Sequence, residues 1–400
     1  MSSTRSPHDV VVVSALRTPI CKARRGAAKE VPPDDLLLAV LAATLERTGV
    51  PPSAIQDVCV GNVQMSGAYA GPARMAALRA GLPAETPLYA VNRQCSSGLQ
   101  AVANVAAAIW SGAIDAGIGA GVESMSHGGG VANPQEMPPA NWDEIQENPL
   151  ARDCLVPMGI TAENVAERYG ISRADQELMA VESHEKALAA QASGRFDDEI
   201  VPLAVGGGNS VRADEGPRPG TTLEKLAKLR PAFKPDGVVT AGTSSQVSDG
   251  AAAVLLMSRR KAAELGLRPL GALRSYRVVG VPPDEMGVGP AVAIPAALDG
   301  AGLSMGDVDV FEINEAFAAQ AAYCVRKLGI PAHKVNPLGG AIALGHPLGC
   351  TGARQVATLL HELRRTRKRY ACNSAGVPPA PAKPVERIRT VTVVATGNLS

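Results

Sequence analysis

The stretch that decides the fold is residues 88–122, which read LYAVNRQCSSGLQAVANVAAAIWSGAIDAGIGAGV. Residues 88–93 have the pattern of a strand, and the Ala-rich run 99–110 has the pattern of a buried helix. A sharp corner at 94–98 joins them, and 116–122 predicts another buried strand. Strands that alternate with helices predict a parallel sheet covered on both faces, which is an α/β fold.

The same order of elements extends toward the N-terminus. Residues 10–15 predict a strand buried on both faces, and 57–62 predict a short strand. Between them, residues 35–48 predict a helix that Asp34 caps and Gly49 ends.

The C-terminal part repeats this order, with landmarks at nearly one offset. Asn62 and Asn314 each end a predicted strand and lie 252 positions apart. Gly98 and Gly352 lie 254 positions apart. The repeat predicts an internal duplication, although chance similarity between Gly- and Ala-rich segments would give the same spacing.

The duplication predicts three regions. Two similar α/β halves, residues 1–123 and 266–400, flank an inserted region at 124–265 that contains helices such as 173–192. The first half could take strands from the end of the insertion. The second half carries an atypical tail from about residue 371.

The composition excludes several classes of partner. Lys and Arg number 39 against 38 Asp and Glu, so the chain provides no broad positive field for nucleic acid or an anionic membrane. Its uncharged stretches are too interrupted to span a bilayer. The seven cysteines are scattered without a CxxC pair, which argues against a disulfide framework and against a metal site. The termini carry neither a secretory signal nor a Ser-Lys-Leu address, which leaves the compartment open.

The corner at 94–98 contains a candidate nucleophile, Cys95. A helix N-terminus favours the thiolate, which is the nucleophilic form of cysteine, so we expect a lowered thiol pKa there. The alternative is that Cys95 is a small buried apolar side chain, as free cysteines commonly are.

Two further segments favour the chemical interpretation. His346 stands in the Gly-rich run 339–349, and histidine is the side chain that activates a cysteine nucleophile. Asn314 and Glu315 follow a predicted buried strand, at the sheet edge where open α/β sheets bind ligands.

These residues belong to four motifs, NRQCSSG at 92–98, GVESMS at 121–126, NEAF at 314–317 and GHPLG at 345–349. Together they resemble the thiolase family, and the 3-ketoacyl-CoA thiolases of peroxisomal type in particular. The resemblance extends almost without gaps from about residue 9 to residue 369.

The resemblance implies a five-layered αβαβα fold of two duplicated halves with a loop domain, assembled as a homodimer or homotetramer. It implies thiolytic cleavage of 3-ketoacyl-CoA by free CoA in fatty acid β-oxidation, with no permanently bound cofactor. Cys95 would carry the acyl group and His346 would take its proton. His346 and a water held by Asn314 would stabilise the oxyanion. It also implies a peroxisomal location, with the cytoplasm or the mitochondrion as alternatives.

Coenzyme A contacts also follow from the resemblance, by motif position. They are Met158, Arg218, Phe233 and Ser245. Lys225 and Lys228 could meet the nucleotide phosphates beside Arg218, or they could form a solvated basic face. Thr243 replaces the Asn that is usual at its position in the family.

The tail departs from the family. Thiolases of this group end with a strand leading to Cys-x-Gly, whose Cys is a second acid/base and whose Gly amide helps to bind the oxyanion. Here Cys372 lies too close to Tyr370 to end such a strand, and a Pro-rich stretch follows at 377–384. Either Cys372 replaces the missing group, or a splice form or a shifted reading frame has changed the tail.

The chemistry makes this departure important. The loss of a general acid/base costs about 100-fold to 10,000-fold in rate. The sequence therefore leaves two hypotheses, an active acyltransferase and a thiolase-fold acyl-CoA binder with little turnover. A condensing ketosynthase is a third, although the four motifs favour a thiolase.

Overall fold

The computed structural model describes residues 6–128 other than residue 8, residues 140–375 and residues 388–396. The strands in these ranges are β1 Val10–Arg17, β2 Cys21–Lys22, β3 Asp57–Gly61, β4 Leu88–Val91, β5 Ala116–Ser124, β6 Leu203–Ala204, β7 Ser210–Val211, β8 Ser248–Ser258, β9 Gly271–Val281, β10 Val310–Ile313, β11 Tyr370–Ala375 and β12 Ile388–Thr396. The α-helices are α1 Pro33–Thr48, α2 Ala70–Arg79, α3 Ser97–Trp110, α4 Trp142–Glu147, α5 Pro149–Asp153, α6 Met158–Tyr169, α7 Arg173–Ala192, α8 Leu223–Leu226, α9 Arg259–Glu264, α10 Gly289–Ala301, α11 Ala318–Leu328, α12 Ala341–Leu344 and α13 Leu348–Thr366.

The main sheet consists of two halves with the same topology. In the first half the order is β4-β3-β5-β8-β1, with β3 parallel to its neighbours and β8 antiparallel to both of its own. In the second half the order is β10-β11-β12-β9, with β10 parallel to β11 and β12 antiparallel to its neighbours. Val335 bridges Phe311 of β10 in parallel, at the place that β4 holds in the first half. This correspondence confirms the predicted duplication.

The helices form three layers around the two half-sheets. Helices α3 and α13 pack on each other and on the strands of both halves, so they form the central layer. Helices α1 and α2 cover the outer face of the first half-sheet, and α10 covers the outer face of the second. Leu99 of α3 and Val356 of α13 share one buried apolar cluster with Val10 of β1. The result is the expected five-layered αβαβα arrangement.

Most elements lie where the sequence predicts them, with one instructive difference. Helix α7 has the predicted bounds, and Gly49 ends α1 in the left-handed conformation with φ of 64°. Asp34 does not cap α1, because the helix already begins at Pro33 and the Asp34 side chain pairs with Arg79 of α2. The long strand β8, which lies within 124–265, is a member of the first half-sheet. The bounds of the three regions stay predictions.

A buried ion network ties the inserted region to the first half-sheet. Arg17, at the end of β1, donates from Nε to Glu199 Oε1 at 2.5 Å and from both terminal nitrogens to the Asp214 carboxylate. All three side chains are almost fully buried. Removing one partner of such a network leaves an uncompensated buried charge, so the network fixes how the insertion joins the core.

None of the helices in the described ranges has the length and apolarity needed to span a membrane.

At the start of α13 the two halves approach each other backbone to backbone. The start of α13 approaches β5 and the start of α3 so closely that a Cβ atom on Gly98 would lie 2.6 Å from the carbonyl oxygen of Gly349. A Cβ on Gly121 would lie closer still to that oxygen, and one on Gly349 would lie 2.7 Å from Cα of Asn62. Only glycine allows this approach.

We therefore predict that Gly121→Ala lowers the free energy of unfolding by about 1–3 kcal/mol or more, because the new methyl group meets rigid backbone. The measurement is the urea unfolding midpoint at unchanged slope. Gly71→Ala in α2 is the matched control, since its Cβ would meet no atom within 4 Å. That control should be neutral or stabilising, and a Gly121→Ala protein as stable as the wild type would contradict the close contact.

Candidate active site

Cys95 lies in a strained corner between β4 and α3. Gln94, just before it, has φ of 48°, which is in the left-handed region. The Ser97 hydroxyl holds the corner by donating to the Gln94 carbonyl at 2.6 Å and accepting from the Arg93 amide at 2.8 Å. Non-glycine residues in this region of φ are uncommon and often mark functional sites. The Cys95 side chain is 4% exposed.

The prediction of a lowered thiol pKa at Cys95 is wrong. Burial, and secondarily the nearby Glu123 carboxylate, raise the pKa of Cys95 to about 12. Charges at a helix terminus are typically worth about 0.3–1 kcal/mol, whereas complete burial shifts a pKa by as much as about 3–5 units. Desolvation therefore wins, and the resting thiol keeps its proton.

His346 lies just before α13 with its ring orientation fixed on both sides. Nδ1 lies 2.6 Å from Thr351 Oγ1, and that hydroxyl donates to the Pro347 carbonyl at 3.1 Å. If the hydroxyl proton is used on Pro347, Oγ1 accepts from Nδ1–H, so the two contacts favour the ring tautomer with its proton on Nδ1. In this tautomer the lone pair of the neutral ring is on Nε2.

The surroundings of His346 keep the imidazole neutral. Burial, with a smaller contribution from the Arg354 charge, lowers the pKa of His346 to about 3. A neutral imidazole is the form that accepts a proton. The site therefore holds a neutral thiol and a neutral base rather than a thiolate and an imidazolium.

Asn314 follows β10 and contacts the free face of His346. Its Nδ2 lies 3.3 Å from His346 Nε2. Its backbone is fixed at both groups, since its N–H donates to the Ser374 carbonyl and its carbonyl accepts from Gln320 Nε2. Asn314 Oδ1 is buried and has no hydrogen-bond partner among the described residues, which leaves it free to accept a hydrogen bond from a water or a ligand.

The structure packs the Cys95 corner against the segment that carries His346. Gly98 follows Cys95 by three residues and Gly349 follows His346 by three residues. A Cβ atom on Gly98 would lie 2.6 Å from the Gly349 carbonyl oxygen. The Glu123 carboxylate, which acts electrostatically on Cys95, accepts from the Gly349 amide at 2.9 Å. The three residues predicted to carry the chemistry therefore lie around the junction of the two halves.

Glu315, predicted beside Asn314 at the ligand-binding edge, is used by the protein itself. Its buried carboxylate accepts from Asn336 Nδ2 at 2.6 Å, from Ser183 Oγ at 2.7 Å and from the Ile342 amide at 3.3 Å. It therefore ties helix α7 of the insertion to the Gly-rich turn and offers no free oxygen toward a ligand.

Cys372 lies outside the site. It is opposite Phe311 in the parallel pairing of β10 and β11 and is fully buried in an apolar cluster with Ile294 and Leu298 of α10. Its neighbour Ala371 packs instead in the central cluster with α13. Because side chains alternate along a strand, Cys372 faces away from His346. The Pro-rich stretch 377–384 lies outside the described residues.

A cavity of about 480 Å³ opens beside this junction. Its lining includes three of the four residues expected to contact coenzyme A. The lining residues are Arg25, His184, Arg218, Thr221, Leu226, Leu229, Ala232, Phe233, Ala241, Gly242, Ser244, Ser245, Gln246, Val247 and Ile342. Another cavity of similar volume, between β1, α1 and the end of α13, contains none of the predicted site residues.

One wall of the cavity that Arg218, Phe233 and Ser245 line is hydrogen-bonded to both parts of the site. The Ser245 amide donates to the Ala316 carbonyl at 2.9 Å, and the Gln246 carbonyl accepts from the His346 amide at 3.0 Å. Phe233 meets Phe317 edge to face, with ring centroids 5.6 Å apart. A ligand in this cavity would therefore lie along the segments that hold Asn314 and His346.

The remaining predicted contacts have other surroundings. Met158 begins α6 and packs beside Val165 and Met286, next to the cavity wall rather than in its lining. Lys225 donates to the Gly220 carbonyl at 2.6 Å. Thr243 is fully buried, and its hydroxyl accepts from the Thr240 amide.

Sequence reasoning missed three side chains at the site. Thr351 fixes the His346 tautomer, Glu123 bridges the two halves, and His184 lines the cavity. The end of a buried strand was the available signal for Glu123. Nothing in the sequence pattern distinguished Thr351 from an ordinary helix residue, because its function depends on a contact with His346 that exists only in the folded structure.

Comparison with known proteins places the chain in a family. Residues 10–260 match the thiolase N-terminal domain and residues 267–382 match the thiolase C-terminal domain. The chain is 59% identical to rat 3-ketoacyl-CoA thiolase B, peroxisomal, with 91% of this chain and 87% of the relative covered.

Two solved structures extend the similarity to the fold. The dimeric peroxisomal thiolase of Saccharomyces cerevisiae superposes with a TM-score of 0.92 at 47% identity, over 99% of both chains. The human mitochondrial 3-ketoacyl-CoA thiolase in complex with CoA superposes with a TM-score of 0.87 at 37% identity, over 98% of both chains. The chain belongs to the thiolase family.

Proposed function

We propose that the protein is a 3-ketoacyl-CoA thiolase, an acyltransferase that cleaves 3-ketoacyl-CoA with free CoA in fatty acid β-oxidation. The observation that carries this proposal is the state of His346. With the proton on Nδ1, Nε2 is the basic atom of the ring and accepts from Asn314 Nδ2 at 3.3 Å, and the segment that carries His346 packs on the Cys95 corner. A neutral base beside a protonated thiol and an amide donor is the arrangement that nucleophilic acyl transfer needs.

In the first half-reaction Cys95 Sγ attacks the ketone carbon. The thiol proton moves to His346 Nε2 as the S–C bond forms, because a free thiolate with a pKa of about 12 and an imidazolium with a pKa of about 3 are both disfavoured beforehand. Asn314, with a water on its unpartnered Oδ1, would assist His346 in stabilising the oxyanion. Cleavage of the C–C bond leaves an acyl-Cys95 and the enolate of acetyl-CoA. The proton that His346 took from Cys95 must reach this enolate, directly or through solvent, and its departure returns His346 to the neutral form.

In the second half-reaction the thiol of free CoA attacks the acyl-Cys95 thioester. His346 Nε2 takes the CoA proton, and Cys95 leaves as the thiolate and is reprotonated. The product is an acyl-CoA shortened by two carbons. This sequence is a ping-pong scheme, in which one base serves both half-reactions.

Coenzyme A would occupy the cavity beside the junction. Arg218 supplies a guanidinium for the phosphates, Phe233 supplies an apolar wall, and Ser245 lies on the segment joined to Asn314 and His346. Met158 would act through the position of Phe233, since a Cβ on the adjacent Gly159 would overlap that ring. The relative solved with CoA supports a CoA site in this fold.

The proton for the departing enolate distinguishes the two half-reactions. Cys372 is turned into the apolar core, so it does not supply this proton. Acyl transfer between Cys95 and CoA needs only His346 as acid and base. We therefore propose that acyl transfer is well preserved and that carbon-carbon cleavage is the slower step, which keeps the low-turnover acyl-CoA binder as the alternative function.

We also propose that the protein acts in the peroxisome as a homodimer or homotetramer. The rat relative is named peroxisomal and the yeast structure is titled dimeric and peroxisomal. These names support the compartment and the dimer, and the tetramer stands as the alternative assembly.

We predict that Cys95 forms a covalent acyl adduct with acyl-CoA alone. Mass spectrometry of the Cys95 peptide after incubation should show the added acyl mass, and Cys95→Ala should show none. The rate of adduct formation should exceed the rate of 3-ketoacyl-CoA thiolysis by about 100-fold, the lower end of the contribution of a general acid.

Cys372→Ala is the matched control for this experiment, because it removes a thiol from the core and not from the site. In Cys372→Ala the rate of adduct formation and the rate of thiolysis should both stay close to those of the wild type, because the substitution is expected to cause only a small loss of stability. A sharp fall of thiolysis in Cys372→Ala, with native thiolysis at ordinary enzyme rates, would instead make Cys372 the second catalytic cysteine.

We predict that Thr351→Val slows acylation of Cys95 by about 10-fold or more, because the His346 ring loses the acceptor that keeps its proton on Nδ1. Thr351→Ser keeps the hydroxyl and should keep most of the rate. The measurement is the acylation rate by stopped reaction and mass spectrometry. Equal rates in Thr351→Val and Thr351→Ser would show that the tautomer does not depend on this contact.

A further inference from the structure

Glu123 is a fully buried carboxylate at the end of β5 that the proposed chemistry does not use. Oε1 accepts from Asn62 Nδ2 at 3.2 Å and from the Gln64 amide at 3.1 Å. Oε2 accepts from the Val63 amide at 3.0 Å and from the Gly349 amide at 2.9 Å. Three of these donors lie in the loop after β3 and one lies at the start of α13, so a single side chain binds both halves of the molecule.

Each of these two segments supports one of the reacting groups. The Val63 carbonyl accepts from Asn92 Nδ2, and a Cβ on Gly61 would overlap the backbone at the start of α3, so the loop after β3 is the floor of the Cys95 corner. Gly349 follows His346 by three residues and starts the helix that carries Thr351.

We propose that Glu123 is a positioning residue that sets the separation of Cys95 and His346 by holding the loop after β3 and the Gly349 amide in one fixed geometry. This inference rests on the proposed function, and it assigns a role to a residue of the GVESMS motif that the reaction itself leaves unexplained.

Glutamine would not reproduce this arrangement, although its shape is nearly the same. Four donors converge on the two carboxylate oxygens, and an amide offers one acceptor oxygen and one NH₂ group. Whichever way the amide faces, two N–H donors meet an N–H group. Burial of a carboxylate is costly, and it raises the pKa of Glu123 to about 7. We therefore expect a charged carboxylate at this position only because its two oxygens must accept all four hydrogen bonds.

The charge of Glu123 also acts on Cys95, which provides a readout that a purely structural role would not give. Glu123 is the charged neighbour that raises the Cys95 pKa. The other charged groups near the junction are engaged elsewhere, since Arg93 donates to Gln100 Oε1 and Arg354 pairs with Glu312. Removing the Glu123 charge should therefore lower the pKa of the thiol.

The test compares Glu123→Gln, which removes the charge, with Glu123→Asp, which keeps the charge but shortens the reach. We expect kcat to fall by about 10- to 100-fold in both variants with KM for acyl-CoA nearly unchanged, because misplacement by about 1 Å costs up to 100-fold in rate. Alkylation of Cys95 by iodoacetamide, followed against pH, should shift to lower pH in Glu123→Gln alone.

Glu199→Gln is the matched control, since it alters a buried carboxylate that binds Arg17 and, further along α13, Thr358, but neither the loop after β3 nor the Gly349 amide. It should lose stability without a shift of the alkylation profile. A Glu123→Gln alkylation profile identical to that of the wild type, or a Glu123→Gln enzyme with wild-type kcat, would overturn the proposal. If Glu123→Gln does not fold, the kcat and KM of Glu123→Asp decide the positioning role.

A failure of the proposed function would look different. In that case the wild type would form no acyl adduct, while iodoacetamide alkylation would still report on the environment of Cys95. The two inferences can therefore fail separately.

Discussion

The contact between the start of α13 and the first half of the molecule is the constraint on which the site depends. Gly98, Gly121 and Gly349 leave no room for side chains there, so backbone meets backbone across the duplication. The Glu123 carboxylate adds a polar connection at the same place. Because packed backbone does not deform smoothly, the relative position of the Cys95 corner and the His346 segment is fixed by this contact rather than by either half alone.

The same burial that builds the junction determines its electrostatics. It raises the pKa of Cys95 and lowers that of His346, so the resting pair is neutral. A neutral thiol is protected from unspecific alkylation and oxidation, and it becomes reactive when a substrate carbonyl draws the electron pair from sulfur. The site therefore links reactivity to substrate binding, with Thr351 holding the His346 lone pair in place.

Much of the fold and of the candidate site could be predicted from the sequence. Buried strands such as β1 and β5 follow from continuous apolar runs, and the repeated Asn and Gly landmarks predicted two halves whose topologies match. The prediction that Asp34 caps α1 is wrong because the Asp34 side chain forms a tertiary ion pair with Arg79 instead. The prediction of a lowered pKa for Cys95 is wrong because it considered only the helix terminus. Burial of the thiol, which depends on the whole fold, has the larger effect. The orientation of the Cys372 side chain could not be predicted without the pairing register of β11, since a shift of one residue would turn this side chain to the other face of the sheet.

The central claim is that two duplicated halves bring a neutral thiol and a neutral imidazole into direct proton-transfer contact. A crystal structure of the protein with CoA bound tests this through the distance between Cys95 Sγ and His346 Nε2. We predict about 3–4 Å with no intervening side chain, the reach of direct proton transfer. A distance beyond about 6 Å, or a side chain between the two atoms, would contradict the account because the proton would then need another carrier.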